Sequence, residues 1–224
     1  MGIFGFTSHR REAQAPGTIR GICDILTSAR TRGDLGIAIT ANVFTYSPRD
    51  LDLMRWNFSE KIRDYNSDYR KSLEETITAY LHGTYQKMRL MHQQGSFPPM
   101  TDPVPDDAPE YWAMVADHCT TGDDQGDRLR FLKFLLSGFC MLVQRIPGHP
   151  VGMVFPGGDK VEMIDGVFYC PVRTKANDVD AALCPFCPAL QTPDIGYLKP
   201  PVNASRHRKQ EFIKDCYDHH HFNG

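Results

Sequence analysis

The sequence predicts an α+β protein, mostly helical, with a small cysteine-bearing β module near its end. Three observations carry this expectation. Apolar residues recur at steps of three or four up to about residue 145, which is the helical period. Beyond Arg145 glycine and proline become frequent and the period switches to two. Three of the seven cysteines, Cys170, Cys184 and Cys187, fall within eighteen residues of this second region. The expected division is a helical body over 1–145 and a hairpin, cysteine module and C-terminal helix over 146–224, packed as one unit.

The elements follow in order. Thr18 caps a short helix carrying Ile19, Ile22, Cys23 and Leu26 on one face. Ser47-Pro48-Arg49-Asp50 is a helix start, with Ser as cap, Pro at the first helical position and an acid in the first turn. From Leu51 to Met91 the apolar period runs on as one long helix or two, divided near Asn66-Ser67 with Ser67 as the second cap. Gly95 and Pro98-Pro99 stop it. The segment SFPPMTDPVPDDAP reads as a proline-rich, acidic surface linker. Asp107 caps a helix through Tyr111, Trp112, Val115 and His118. Asp127 opens another through Leu129, Leu132, Leu136, Cys140 and Val143, in which Lys133, Ser137 and Gly138 interrupt an otherwise apolar core run. Residues 160–170 alternate about Asp165-Gly166, a short-range hairpin signal that ends on Cys170. Asn203 caps a final helix with Phe212, Ile213, Cys216 and Tyr217 inward.

Composition excludes several classes. A net charge of −2 supplies no global field for nucleic acid or an anionic membrane. No apolar run approaches the roughly 18 residues of a spanning helix. The opening MGIFGFTSHRREAQA has its charges after the apolar patch, the reverse of a secretory signal, and Phe6 breaks the myristoylation pattern. A cytoplasmic protein is expected, and an odd cysteine count in a chain of 224 residues argues against a disulfide scaffold.

Cys184-Pro-Phe-Cys187 matches a glutaredoxin-type dithiol. The 37 residues after it, however, read as a Pro-rich loop and one helix, without the strands of a thioredoxin-like sheet. A metal site explains more. The CxxC turn offers two thiolates to one ion, Cys170 closes a hairpin strand, and His149 stands before the hairpin between Pro147 and Pro150. The expectation is a structural zinc site of His149, Cys170, Cys184 and Cys187. Cys216, His207 and the run His219-His220-His221 are other fourth-ligand choices, Cys216 first among them. A 4Fe–4S cluster on the same residues is the alternative, and buried inert thiols are the plain one.

Other patterns fall away. Gly152 to Gly157 lacks the Lys-Ser/Thr of a P-loop, and the CxxC lacks the His-x-Glu of a zinc deaminase. Asp117-His118 would be a catalytic dyad only with a nucleophile in place, and a satisfied helix-end histidine is the expectation. No catalytic residue is assigned, and a non-enzymatic accessory protein with an unidentified protein partner is expected. Arg206-His207-Arg208-Lys209 offers a weaker alternative, an RNA- or ribosome-associated factor.

GHPVGMVFPGG, KVEMIDGVFYCPV and ALCPFCPALQ together resemble the C-terminal signature of an uncharacterised archaeal family of methanogens, domain of unknown function 2115. His149, Phe155, Pro156, Gly157, Gly158, Cys170, Cys184, Cys187 and Gln191 match position by position, over about a fifth of the chain, while Pro188 and Leu190 depart from the pattern. The resemblance implies an archaeal cytoplasmic protein and groups His149 with the three cysteines. It implies no activity.

Overall fold

The computed structural model describes residues 17–155, 158–174 and 183–193. Within them lie helices α1 (Ile19–Thr27), α2 (Arg32–Val43), α3 (Pro48–Lys61), α4 (Ser67–Gln93), α5 (Ala108–His118) and α6 (Asp124–Gly138). The last runs into a π-helical turn, Phe139–Val143. A three-stranded sheet follows, with β1 (Glu162–Ile164), β2 (Val167–Cys170) and β3 (Leu190–Gln191) in that order. Mostly helical α+β is therefore the architecture. No helix among the described residues is long and apolar enough to cross a membrane.

Local capping chemistry sets several boundaries. Thr18 Oγ1 accepts from the Gly21 amide at 3.1 Å, and Asp50 accepts from the Ser47 amide and hydroxyl at 2.7 and 2.8 Å. At α4 the cap is Asn66 rather than Ser67. Its side-chain Oδ1 accepts from the amides of Asp68 and Tyr69, so Asn66, one position earlier, meets two orphan donors of the first turn. Helix α6 likewise starts three residues before Asp127. The Asp127 carboxylate instead takes the Thr121 amide and hydroxyl (both 2.7 Å), the Gly122 amide (3.0 Å) and Arg130 (2.8 Å), pinning the preceding turn.

Helix α2 gave no sequence signal, since Gly33 and Gly36 dilute its helical pattern. Tertiary structure explains the glycines. The proline-rich segment after α4 runs along the surface, as a linker would, but is strapped to α2 by Phe97, which is only 1% exposed. A Cβ on Gly33 would run into the Phe97 carbonyl, and one on Gly36 would stand 2.7 Å from the Phe97 ring. The strap's carbonyls at Met100 and Asp102 accept the amides of Gly33 and Arg32 at 3.0 and 2.8 Å, satisfying orphan donors of the first turn of α2.

Two apolar clusters result. The larger unites α1, α2, α5, α6 and the π turn around Tyr111, Trp112, Phe134 and Phe139. The smaller joins Ile62 and Leu73, from the α3–α4 end, to Met153, Phe155, Val161, Cys170 and Val172. Cys187 packs against both, so the cysteine module is seated on the helices.

Candidate functional site

The hairpin turns through Asp165 and Gly166, both at positive φ, in the form that suits strand twist. Pairing Ile164 with Val167 and Glu162 with Tyr169 brings Cys170 to the strand end. The chain then turns through Pro171, the Arg173 amide donating to the Cys170 carbonyl at 3.4 Å, and the amides of Val172 and Arg173 pull the Cys170 thiol down. Strand β3 lies parallel to β2 with Gln191 opposite Cys170, and the Thr192 amide donates to the Cys170 carbonyl at 3.1 Å. Gln191 completes this knot. Its side-chain nitrogen donates to the Pro171 carbonyl at 3.0 Å while its oxygen accepts the Thr174 amide and hydroxyl.

The CxxC stretch forms a 3₁₀ turn, Cys184–Phe186, in which the Cys187 amide donates to the Cys184 carbonyl at 3.1 Å. Arg173 ties this turn to the first one, its guanidinium donating to the carbonyls of Ala189 and Pro185 at 3.1 and 3.2 Å. The three thiols consequently share one field. Burial pushes Cys184 up to about 12, with the charges of Cys170 and Cys187 adding to it. Burial pushes Cys170 up to about 11, against the two amides and Arg173, which pull the other way.

His149 stands in the loop before the hairpin. Its ring meets Phe155 edge-on at 5.6 Å and borders a cavity, where burial and the neighbouring Lys133 charge bring it down to about 4. Among the described residues no group of three or more His, Cys, Asp or Glu is arranged to hold a metal ion. Cys216, the final helix, His207, the triple histidine and the basic run Arg206–Lys209 lie outside the described residues.

Cys23, Cys119 and Cys140 are core residues. Burial raises Cys23 and Cys119 to about 12, and Cys140 shares a 3.4 Å hydrogen bond with Thr84 Oγ1. Asp117 is engaged with Arg20 at 2.9 Å.

A cavity of about 90 Å³ lies between α3, α4, α6 and the 148–149 loop, and sequence reasoning missed it. Arg55, His82, Lys133 and His149 line it together with Thr78, Tyr80 and Ser137. Leu51, Met54, Phe58, Ile77, Leu81 and Leu183 supply the apolar wall. Burial takes Lys133 down to about 7, helped by the like charges of Lys61 and Arg130, with Cys119 opposing. Its ammonium stands 4.9 Å over the Phe134 ring. The signal was present in the sequence as Lys133 and Ser137 one turn apart in an apolar helix, matched by Thr78 and His82 one turn apart on α4.

Comparison with known proteins now bears on the whole arrangement. The family described as an uncharacterized protein conserved in archaea (DUF2115) matches residues 31–192, from α2 to just past β3. The chain belongs to this family. A UPF0305 protein of Methanopyrus kandleri is 27% identical over 133 residues, covering 59% of this chain and 88% of that relative. A UPF0305 protein of Methanothermobacter thermautotrophicus is 55% identical over 47 residues, which is 21% of this chain and 30% of the relative. A further UPF0305 match from that organism is 41% identical over 61 residues, or 27% and 37%. No solved structure matches. The DUF2115 region holds both the three thiols and the basic cavity.

Proposed function

We propose that the protein is a metal-binding accessory protein in which Cys170, Cys184 and Cys187 hold a zinc ion. The observation that supports this reading is that three thiols share one field, with the nearby backbone amides of Val172 and Arg173 favouring the Cys170 thiolate. Favouring the thiolate is what the outer shell of a thiolate metal site does. Without a cation, burial keeps Cys170 and Cys184 protonated. A divalent ion reverses that balance and displaces their protons. His149 is neutral at physiological pH, as a ligand must be, and His149 and Cys216 are the choices for a fourth donor.

The test is elemental analysis of anaerobically purified protein. One zinc per chain is expected, falling to near none in Cys184→Ser. His149→Ala and Cys216→Ser then identify the fourth ligand by which of them lowers the zinc content. Iron with visible thiolate-to-iron absorption would replace zinc by a 4Fe–4S cluster on the same thiols. A metal-free protein that keeps its fold and takes up neither metal would overturn the reading.

A further inference from the structure

Sheet register sorts the hairpin's side chains onto two sides. Residues opposite one another share a side, so Ile164 goes with Val167, Glu162 with Tyr169, and Leu190 with Tyr169. The alternate set is Met163, Phe168 and Cys170, of which Phe168 and Cys170 turn to the smaller apolar cluster. The first side therefore faces away from that cluster, and the solvated side of such a sheet is ordinarily polar. Here it is apolar. Ile164 is 52% exposed, Leu190 55% and Val167 38%, with the half-buried Tyr169 between Val167 and Leu190. Among the described residues, none of these four belongs to or packs against either apolar cluster. Adjacent apolar residues on one face, unlike scattered single ones, mark a contact surface.

The chain itself offers an occupant. The described residues end at Pro193, two positions past β3, so the chain leaves from the edge of this same sheet. Residues 203–217 follow, with Asn203 as a helix cap and Phe212, Ile213, Cys216 and Tyr217 at the helical period. Nine residues, 194–202, lie between. They span up to about 30 Å, against about 10 Å across a three-stranded sheet, so the segment reaches the face. Charge agrees. Glu162 and Asp165 stand on the hairpin beside the face, and Arg206, Arg208 and Lys209 open the segment. Tethering also gives the segment a high local concentration that a free partner would have to match. We infer that residues 203–217 dock as an amphipathic helix on the sheet face of Ile164, Val167, Tyr169 and Leu190. So docked, the helix holds Cys216 on the side of the sheet away from Cys170, which leaves His149 as the fourth donor in the metal reading above. The docking itself needs no metal.

Hydrogen exchange of the full-length protein, read by mass spectrometry, tests this. A helix of this length is marginal in water by itself, so protected amides over 204–217 report docking. Exchange roughly tenfold or more slower than in an unfolded chain is expected. The double variant Ile164→Ser, Val167→Ser should return these amides to the unprotected rate. Both side chains are exposed, so the variant should fold, and unchanged protection of α6 checks that it does. Leu190→Ser, from another strand of the same face, should weaken the protection as well. Met163→Ser, equally exposed but on the other side of the sheet, should leave the segment protected. Unprotected amides in wild type would overturn the docking, as would protection that survives the changes at Ile164, Val167 and Leu190. Equal loss in Met163→Ser would overturn it too. Protection that rises with protein concentration would assign the face to a second copy instead. Loss of zinc in Cys216→Ser would put that residue with the thiols and overturn the docking, whereas a zinc-free chain that still protects the segment would refute the metal reading alone.

Discussion

Replacing Lys133 by Met should make the protein more stable at pH 6, and the gain should shrink as the pH is raised. Lys133 falls from 10.5 to about 7 because burial disfavours its charged form and Lys61 and Arg130 repel it. At about 1.4 kcal/mol per unit, the full shift would correspond to roughly 5 kcal/mol. Lys133 keeps part of its surface in solvent, which reduces the effect to about 2 kcal/mol. Below pH 7 the lysine is charged in both the folded and unfolded chain, so the whole cost is present. Between pH 7 and 10.5 the unfolded chain binds more protons than the folded one, and wild-type stability therefore rises with pH. Met is close in length and carries no charge, so the variant lacks this dependence and fills the same space. Urea denaturation at pH 6 and pH 10 measures both quantities. A Lys133→Met protein less stable than wild type at pH 6, or a difference that does not change with pH, would show that the cation is solvated or paired well enough to cost nothing.

Asp127→Ala should cost about 3 kcal/mol in urea denaturation, because Thr121, Gly122 and Arg130 lose their shared acceptor and Arg130 is left beside Lys133. Burial raises the Asp127 carboxyl, but the Thr121 and Gly122 hydrogen bonds and Arg130 outweigh it and hold it below the usual range. Its contribution is therefore present at neutral pH and lost as pH falls through that lowered value, which an acid titration of stability will show only in wild type. Gly33→Ala should destabilise by about 2 kcal/mol or more, since a Cβ there meets the backbone carbonyls of Phe97 and Met100, which have little room to shift. A thermal melt indistinguishable from wild type would mean the strap can move aside. Finally, Cys170 and Cys184, raised to about 11 and about 12, should react slowly with a thiol reagent at pH 8 in metal-free protein. Stoichiometric zinc should release protons on addition; fast labelling of both residues would contradict their burial.

The parts of this protein legible in its sequence are those whose chemistry is local. Ser47 through Asp50 closes its own helix start within four residues, and Asp165-Gly166 supplies the positive φ that turns the hairpin. The period change near residue 146 and the HPVG, YCPV and CxxC blocks mark the mostly helical α+β class and the family. Tertiary structure decided what depends on partners far along the chain. Helix α2 is helical although its glycines argue otherwise, because Phe97, some sixty residues on, needs the space they leave. Strand β3 is two residues long and exists only through its pairing with β2, so no window of sequence carries it. Asp127 looked like a cap because Asp commonly is one, yet Thr121, Gly122 and Arg130 converge on it within the folded turn. His149 shares a sequence signature with three cysteines, and its edge-on contact with the Phe155 ring is one that spacing alone does not give. Spacing along a chain fixes which residues are available; which of them meet, and in what dielectric, is settled only when helices from distant stretches close over the same small volume.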